Sequence, residues 1–303
     1  MNVLVCGARG FIGRATCDAL RRHGHHVVEA ASVATGPASI AVDFVRDDEP
    51  ARWLPRLTGI DAVVNAVGVL RDSPRRPLVA VHEHVPRALF EACEMAGVRR
   101  VVHVSALGIA GSSTAYACTK RGAEDALLAQ VRAGRLDAVV VRPSIVFGRG
   151  GASSRFFIAL SRLPALLLPR AVRATRIQPV AVAELADALA RLVEAPQHAA
   201  PPGAATPDAT RVLAAVGPAS LTLGDFIASL RAQAGRAPAR VGTLPDALAR
   251  WSARAGDGLP LSPWCSATLA LLATDNVADP APFERALGRR ATRFDALLAA
   301  ERP

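Results

Sequence analysis

Seven residues near the start of the chain, Gly7-Ala8-Arg9-Gly10-Phe11-Ile12-Gly13, limit its fold more than any other stretch. They come after a short apolar run, Asn2 to Cys6, that reads as a β-strand. They lead into a helical pattern that runs to Arg22 and is ended by His23-Gly24, and a second strand opens at His26-Val27-Val28. Strand, glycine turn, helix and strand, in that order, are the context in which such a turn grips a dinucleotide. Gly7 allows the tight turn, Gly10 lets backbone approach a pyrophosphate, and Gly13 lets the helix settle on the sheet. The free N–H groups of the helix start then face the phosphates. Gly7, Arg9, Gly10, Phe11, Ile12 and Gly13 are therefore expected to touch a cofactor.

The pattern continues. Strand readings at 2–6, 26–30, 39–43, 61–66, 100–105 and 137–142 alternate with helix readings at 11–22, 49–57, 78–96 and 113–133. That rhythm predicts an α/β fold, a Rossmann-like doubly wound parallel sheet. Ligands of such sheets sit at the carboxyl ends of the strands. Asp43 and Phe44, ending the third strand, are expected to flank an adenine, and Ala66, Val67 and Gly68, ending the fourth, to lie beside the cofactor. After Gly148 the pattern loosens. A short strand is expected within 176–180 and a helix over 183–194 that returns to the sheet. Residues 196–210, rich in Pro, Ala and Gly, read as a loop or linker. Thr222 and Asp225 resemble a capping box before another helix. The expected division is a dinucleotide-binding domain of residues 1–148 plus about 174–195, and a smaller α-rich C-terminal substrate lobe of 149–173 plus about 205–303.

One tyrosine occurs in the chain, and the one lysine comes four positions later, as Tyr116-Ala117-Cys118-Thr119-Lys120. On a helix, positions i and i+4 share a face, so both groups can reach one cleft. A phenol exchanges protons near neutral pH only if its pKa falls, and a fixed ammonium beside it favours the phenolate. The pair thus predicts a phenolic general acid/base tuned by a lysine.

Composition narrows the alternatives. The formal charge is +10, almost all from arginine. The arginines come in pairs with no long basic run and no interleaved aromatics, which favours dispersed surface charge over a nucleic-acid partner. The longest apolar stretch, Leu160 to Leu168, is broken by Arg162 and Pro164 and is too short to span a bilayer. Five scattered cysteines without a CxxC argue for reduced thiols in a cytoplasmic setting and against a zinc site. His23, His25 and His26 read as surface residues, and no metal is expected.

Several further phrases fit the same picture: Asn65-Ala66-Val67-Gly68, Val102 to Gly108, Val141 to Gly148 and Gln178-Pro179-Val180. Together with the glycine turn and Tyr116…Lys120, they resemble the short-chain dehydrogenase/reductase superfamily. The likeness is to its extended and atypical branch of NAD(P)-dependent epimerase/dehydratase-like proteins, and within it to relatives of the nucleotide-binding accessory subunit of respiratory complex I. It covers about residues 1–195. The resemblance implies hydride transfer between a nicotinamide and an alcohol or carbonyl. It assigns Tyr116 as general acid/base and Lys120 as the group that binds the nicotinamide ribose and tunes Tyr116. Pro143, Ile145 and Val146 would form the wall beside the nicotinamide. Two positions depart from the pattern. Ala106 stands where the family carries the serine that polarises the substrate oxygen, leaving Ser105 as one candidate and Ser112, Ser113 or Thr114 as loop residues that could supply the hydroxyl instead. His82 stands where many members carry an asparagine that holds a water. These departures keep a second expectation open, a non-catalytic dinucleotide-binding protein with a structural, regulatory or assembly role. The superfamily also implies a monomer or a homodimer; the small-molecule substrate is not legible.

The form of the cofactor is argued from charge. NAD readers place an acid at the end of the second strand, and NADP readers use a cation. Ala31 and Ser32 occupy that end, Glu29 comes two residues early, and Arg9 lies inside the glycine turn. The expected cofactor is NADP(H), with Arg9 and Ser32 at its 2′-phosphate and NAD as the alternative.

Overall fold

The computed structural model describes residues 1–195, 211–258 and 264–300. The loop or linker expected at 196–210 lies outside the described residues. Strand β1 (Asn2–Cys6) leads through the glycine turn into α1 (Phe11–Arg22), β2 (His26–Ala31) and β3 (Ser39–Ala41). The expected helix over 49–57 is split into α2 (Pro50–Trp53) and a 3-10 turn (Leu54–Leu57). Pro55 lacks the N–H that would continue an α-helix. Then come β4 (Ala62–Asn65), a π-helical turn (Ala80–His84) running into α3 (Val85–Met95), β5 (Arg100–Val104), α4 (Ala115–Arg132) and β6 (Ala138–Pro143). Beyond these lie β7 (Val146–Phe147), α5 (Ala152–Arg162), β8 (Ala165–Pro169), α6 (Arg170–Ala174), β9 (Arg176–Ile177), β10 (Val180–Ala181) and α7 (Val182–Glu194). The remaining elements are β11 (Val212–Ala215), β12 (Leu221–Thr222), α8 (Leu223–Gln233), β13 (Arg240–Leu244), α9 (Asp246–Asp257), α10 (Ser266–Leu272), α11 (Ala281–Leu287) and α12 (Leu297–Ala300).

Seven strands form one parallel sheet in the order β11-β6-β5-β4-β1-β2-β3. The order reverses between β1 and β4, where open α/β sheets bind ligands. All five residues of β5 are buried, as expected of a strand covered by helices on both faces. On one side α1 and α7 pack with Val3, Val5, Val102 and Val104. On the other, α2, α3 and α4 pack around the fully buried Trp53 and Phe90. Trp53 Nε1 donates to the Asp47 carbonyl at 2.7 Å, so its one polar atom is satisfied in the core. Burial pushes the Cys6 and Cys17 thiols up to about 12 and raises Cys93 well above its ordinary value.

A third cluster, built on Phe147, Phe157, Phe226 and Ile177, is the core of the lobe. The boundary differs from the expected one. Strand β11 joins the main sheet beside β6, and Phe283, Ala286 and Leu287 pack into the α1/α7 layer. Four residues, Val212-Leu213-Ala214-Ala215, carry too weak a pattern to separate a sheet strand from a lobe segment. Buried Glu184 of α7 ties the later chain down: its carboxylate accepts from Thr292 N at 3.0 Å, from Thr292 Oγ1 at 2.8 Å and from Arg289 at 2.5 Å. The capping box is present: Asp225 N donates to Thr222 Oγ1 at 3.1 Å. Among the described residues no helix is long and apolar enough to cross a membrane.

Candidate active site

Gly7 adopts φ +77°, and a Cβ on it would lie 3.1 Å from the Ala66 carbonyl oxygen. The turn from β1 therefore lies against the end of β4. A Cβ on Gly13 would come within 2.0 Å of Gly7 O. Helix α1 starts at Gly10 with no side-chain cap and no acid in its first turn. Its first N–H groups are thus open to an anion at the positive end of the helix. A glycine-walled cradle of this kind fits a dinucleotide diphosphate. Phe11 faces the loop after β7: a Cβ on Gly151 would lie 2.8 Å from its ring.

Arg9 extends from the turn across the end of β2, where its guanidinium donates to Thr35 Oγ1. Ser32 is exposed on the same loop. Glu29 faces the other way, with Arg21 bonded to it at 2.5 Å. Among the described residues, the cation Arg9 therefore stands at the end of β2, where Glu29 is already paired. Thr35 was not legible in the sequence, because only the fold of the loop brings it to Arg9. Asp43 is turned into its own loop, accepting from Val45 N at 2.9 Å, and Phe44 leans on Trp53 with ring centres 6.5 Å apart. Neither makes a contact with the glycine turn among the hydrogen bonds and ring contacts described.

Tyr116 and Lys120 lie one turn apart on α4 and share a face, which Thr114 begins by accepting from Ala117 N. Lys120 is buried and donates to Val67 O at 3.3 Å and Val104 O at 3.1 Å, joining the ends of β4 and β5. A Cβ on Gly68 would stand 3.4 Å from its ammonium, so glycine leaves that approach open. Burial lowers the Lys120 pKa from 10.5 to about 8, against the opposing pull of Glu124 one turn further on. Glu124 is itself buried and held by Arg142 of β6, Nε to Oε1 at 3.0 Å. That buttress was missed, although position i+8 from Tyr116 on the same helix face announces it. The expected lowering of the Tyr116 pKa is not what the structure has. The phenol is half-buried and burial pushes it up to about 12, while the lysine is bonded to two carbonyls instead.

His82, from the π-helical turn, closes this arrangement. Val69 N donates to its Nε2 at 3.0 Å, so the ring proton is on Nδ1, 3.2 Å from Thr119 Oγ1. The ring meets Tyr116 edge-on at 5.3 Å. Burial, then the charge of Lys120, lowers its pKa to about 3, so the imidazole is neutral. His82 thus braces Tyr116 against the chain leaving β4.

Tyr116 opens onto a cleft of about 970 Å³ between sheet and lobe. Pro143, Ile145 and Val146 line it as expected, with Leu70, Phe156 and Leu271 among its apolar walls. Ala106 lines the cleft and Ser105 does not: the Ser105 hydroxyl is buried one residue deeper, with no hydrogen-bond partner among the described residues. The alternation of side chains along a strand accounts for this, since neighbours face opposite ways.

The model of the NAD dependent epimerase/dehydratase family matches residues 3–204. The chain belongs to that family. Family membership agrees with the expected nicotinamide dinucleotide and with the coarse expectation of an enzyme. Among curated relatives, a ceramide reductase of Caulobacter vibrioides is 30% identical over 197 residues, 63% of this chain and 59% of the relative. The mitochondrial NADH dehydrogenase [ubiquinone] 1 alpha subcomplex subunit 9 of Rattus norvegicus is 27% identical over 204 residues, 63% of this chain and 53% of that one. The chain thus spans little more than half the length of the curated relatives it matches. Among solved structures, human epimerase family protein SDR39U1 with NADPH superposes with a TM-score of 0.71 at 20% identity, covering 99% of both chains. Thermus thermophilus UDP-glucose 4-epimerase with NAD has a TM-score of 0.61 at 20% identity, covering 81% of this chain and 86% of that one. These likenesses show a shared family fold.

Proposed function

We propose that this epimerase/dehydratase-family protein is an NADP(H)-dependent reductase of a largely apolar carbonyl compound. The observation that carries the proposal is Tyr116 in the wall of an apolar-sided cleft, one helical turn from buried Lys120 and braced by neutral His82. The glycine turn and the start of α1 hold the diphosphate, Arg9 takes the 2′-phosphate, and Lys120 stands at the nicotinamide ribose. NADP(H), when bound, supplies the hydride donor or acceptor. The chain's own work is to bind, orient and move one proton. A phenol at about 12 is protonated at neutral pH, so Tyr116 is poised to donate to a carbonyl oxygen, which favours reduction. Likeness to a protein named ceramide reductase supports both the direction and an apolar substrate. Consumption of NADPH with hydrophobic ketones, and not with nucleotide sugars, tests the reading.

A second reading has its own support. Ala106 in the cleft wall, with Ser105 turned into the core, removes the usual hydroxyl that polarises a substrate oxygen. Loss of one such donor costs about a hundredfold in rate or more. A binding protein without turnover accords with that loss and with likeness to an NADH dehydrogenase subunit. Tight NADPH binding with no consumption across carbonyl and quinone panels would select it.

Arg9→Ser is expected to weaken NADPH binding about 10- to 100-fold, the worth of a charge-assisted hydrogen bond, and to leave NADH binding unchanged. Calorimetry with both nucleotides checks it. Activity is expected to fall above pH 8 as Lys120 loses its proton, with no matching loss down to about pH 4, because His82 stays neutral. Stability moves the other way. The unfolded lysine keeps its proton to 10.5 while the folded one releases it near 8, so folding gains up to about 3 kcal/mol between those pH values. The buried thiols of Cys6, Cys17 and Cys93 oppose that slope in both proteins, so denaturant titrations should show it in the difference between parent and Lys120→Met.

A further inference from the structure

The positive charge is not spread evenly. Residues 149–173 and 220–258, about a fifth of the chain, hold ten arginines against three aspartates, which accounts for +7 of the +10. Among the described residues, the same two segments hold half of the large hydrophobic side chains that stand exposed: Leu163, Leu167, Val241, Leu248 and Trp251. Sequence pairs of arginine hid this, because the two segments are separated along the chain and are brought side by side by the β8–β13 ribbon.

That ribbon pairs in parallel, Arg240 against Ala165 and Gly242 against Leu167. Leu167 is 66% exposed and lies over Gly242, where a Cβ would come within 2.7 Å of it. Pro245 then starts α9. Ala249, Ala253 and Gly256 bury its inner side. Trp251, 72% exposed, and Leu248, 55% exposed, stand on the outer side with Ala247 and Ala255, and Arg250 and Arg254 flank them. Inner and outer sides reflect the 3.6-residue period. An outward tryptophan costs apolar exposure that a surface helix normally avoids. Among the described residues, Arg162, Arg170, Arg236, Arg240 and Arg250 have no carboxylate partner. Apolar side chains among unpaired cations complement a surface that is itself apolar beneath an anionic layer.

We propose that this face of the lobe, α9 and the β8–β13 ribbon, docks the protein on an anionic lipid surface. Trp251 and Leu248 enter the headgroup boundary and the arginines meet the lipid charge, as interfacial helices do. The last residue of α9, Asp257, lines the cleft, so the docked helix ends where an apolar substrate would enter. The docking does not depend on turnover.

The test is sedimentation of the full chain with phosphatidylcholine vesicles, with and without about a third phosphatidylglycerol. Retention should be at least about tenfold greater on the anionic vesicles and should fall when salt rises from about 0.05 to 0.5 M. Trp251→Ser with Leu248→Ser, and separately Arg250→Gln with Arg254→Gln, should each lower it about tenfold or more. Both pairs are exposed, so melting temperature and NADPH affinity should stay at parental values, which separates lost docking from lost folding. Equal binding by parent and variants overturns the proposal. So does a native mass spectrum in which Trp251 and Leu248 are required for a dimer, or retention by DNA or an acidic protein without retention by vesicles.

Discussion

Tyr116→Phe should lower kcat for carbonyl reduction by about 10²- to 10⁴-fold, the usual worth of a positioned acid or base, while NADPH affinity stays at the parental value. The substitution removes one oxygen and keeps the ring, including its edge-on contact with His82. The phenolic hydroxyl has no hydrogen-bond partner among the described residues, so its loss leaves no buried group unsatisfied. Stability should therefore hold, and a kinetic loss can be read as chemistry. Stopped-flow NADPH oxidation gives the rate and calorimetry the affinity. Undiminished turnover in Tyr116→Phe would remove the proposed role of the phenol. Parallel loss of rate and affinity would make Tyr116 a binding residue.

Gly13→Ala should be among the most damaging single methyl groups that could be added to the described residues. It would stand 2.0 Å from Gly7 O and 3.0 Å from Ala8 Cα, both backbone that cannot swing aside. Helix α1 would have to slide off β1, which costs about 3 kcal/mol or more, beyond the usual range for overpacking by one methyl. The slide also moves the first N–H groups of α1 away from the diphosphate. Thermal melts and NADPH titration should fail together, in contrast to Tyr116→Phe. A variant that melts within a few degrees of the parent and still binds would mean that the turn tolerates a different path.

The glycine turn, the parallel sheet and the shared helix face of Tyr116 and Lys120 were legible because each is set by local spacing. The lysine's own role was less so. Its bonds to Val67 O and Val104 O depend on how two strands end side by side, and burial then outweighs the effect expected on the phenol. Ser105 was named on chain position alone, and the facing of a strand residue is decided by register. Arg9 was legible as a cation in the right turn, while Thr35 and Arg142 reach the site region through long-range folding. Strand β11 was missed because its partner, β6, lies some seventy residues earlier.

The π-helical turn at Ala80–His84 adds one residue to a helix that would otherwise run straight into α3. An inserted residue rotates the preceding turns by about 100° relative to the helix beyond it. The imidazole of His82 owes its aim at Thr119 and Val69 to that offset. Length here is therefore as constrained as identity: a homologue with an asparagine at this place and a regular helix would present its amide along a different bearing, and swapping the side chain alone would not transplant one arrangement into the other.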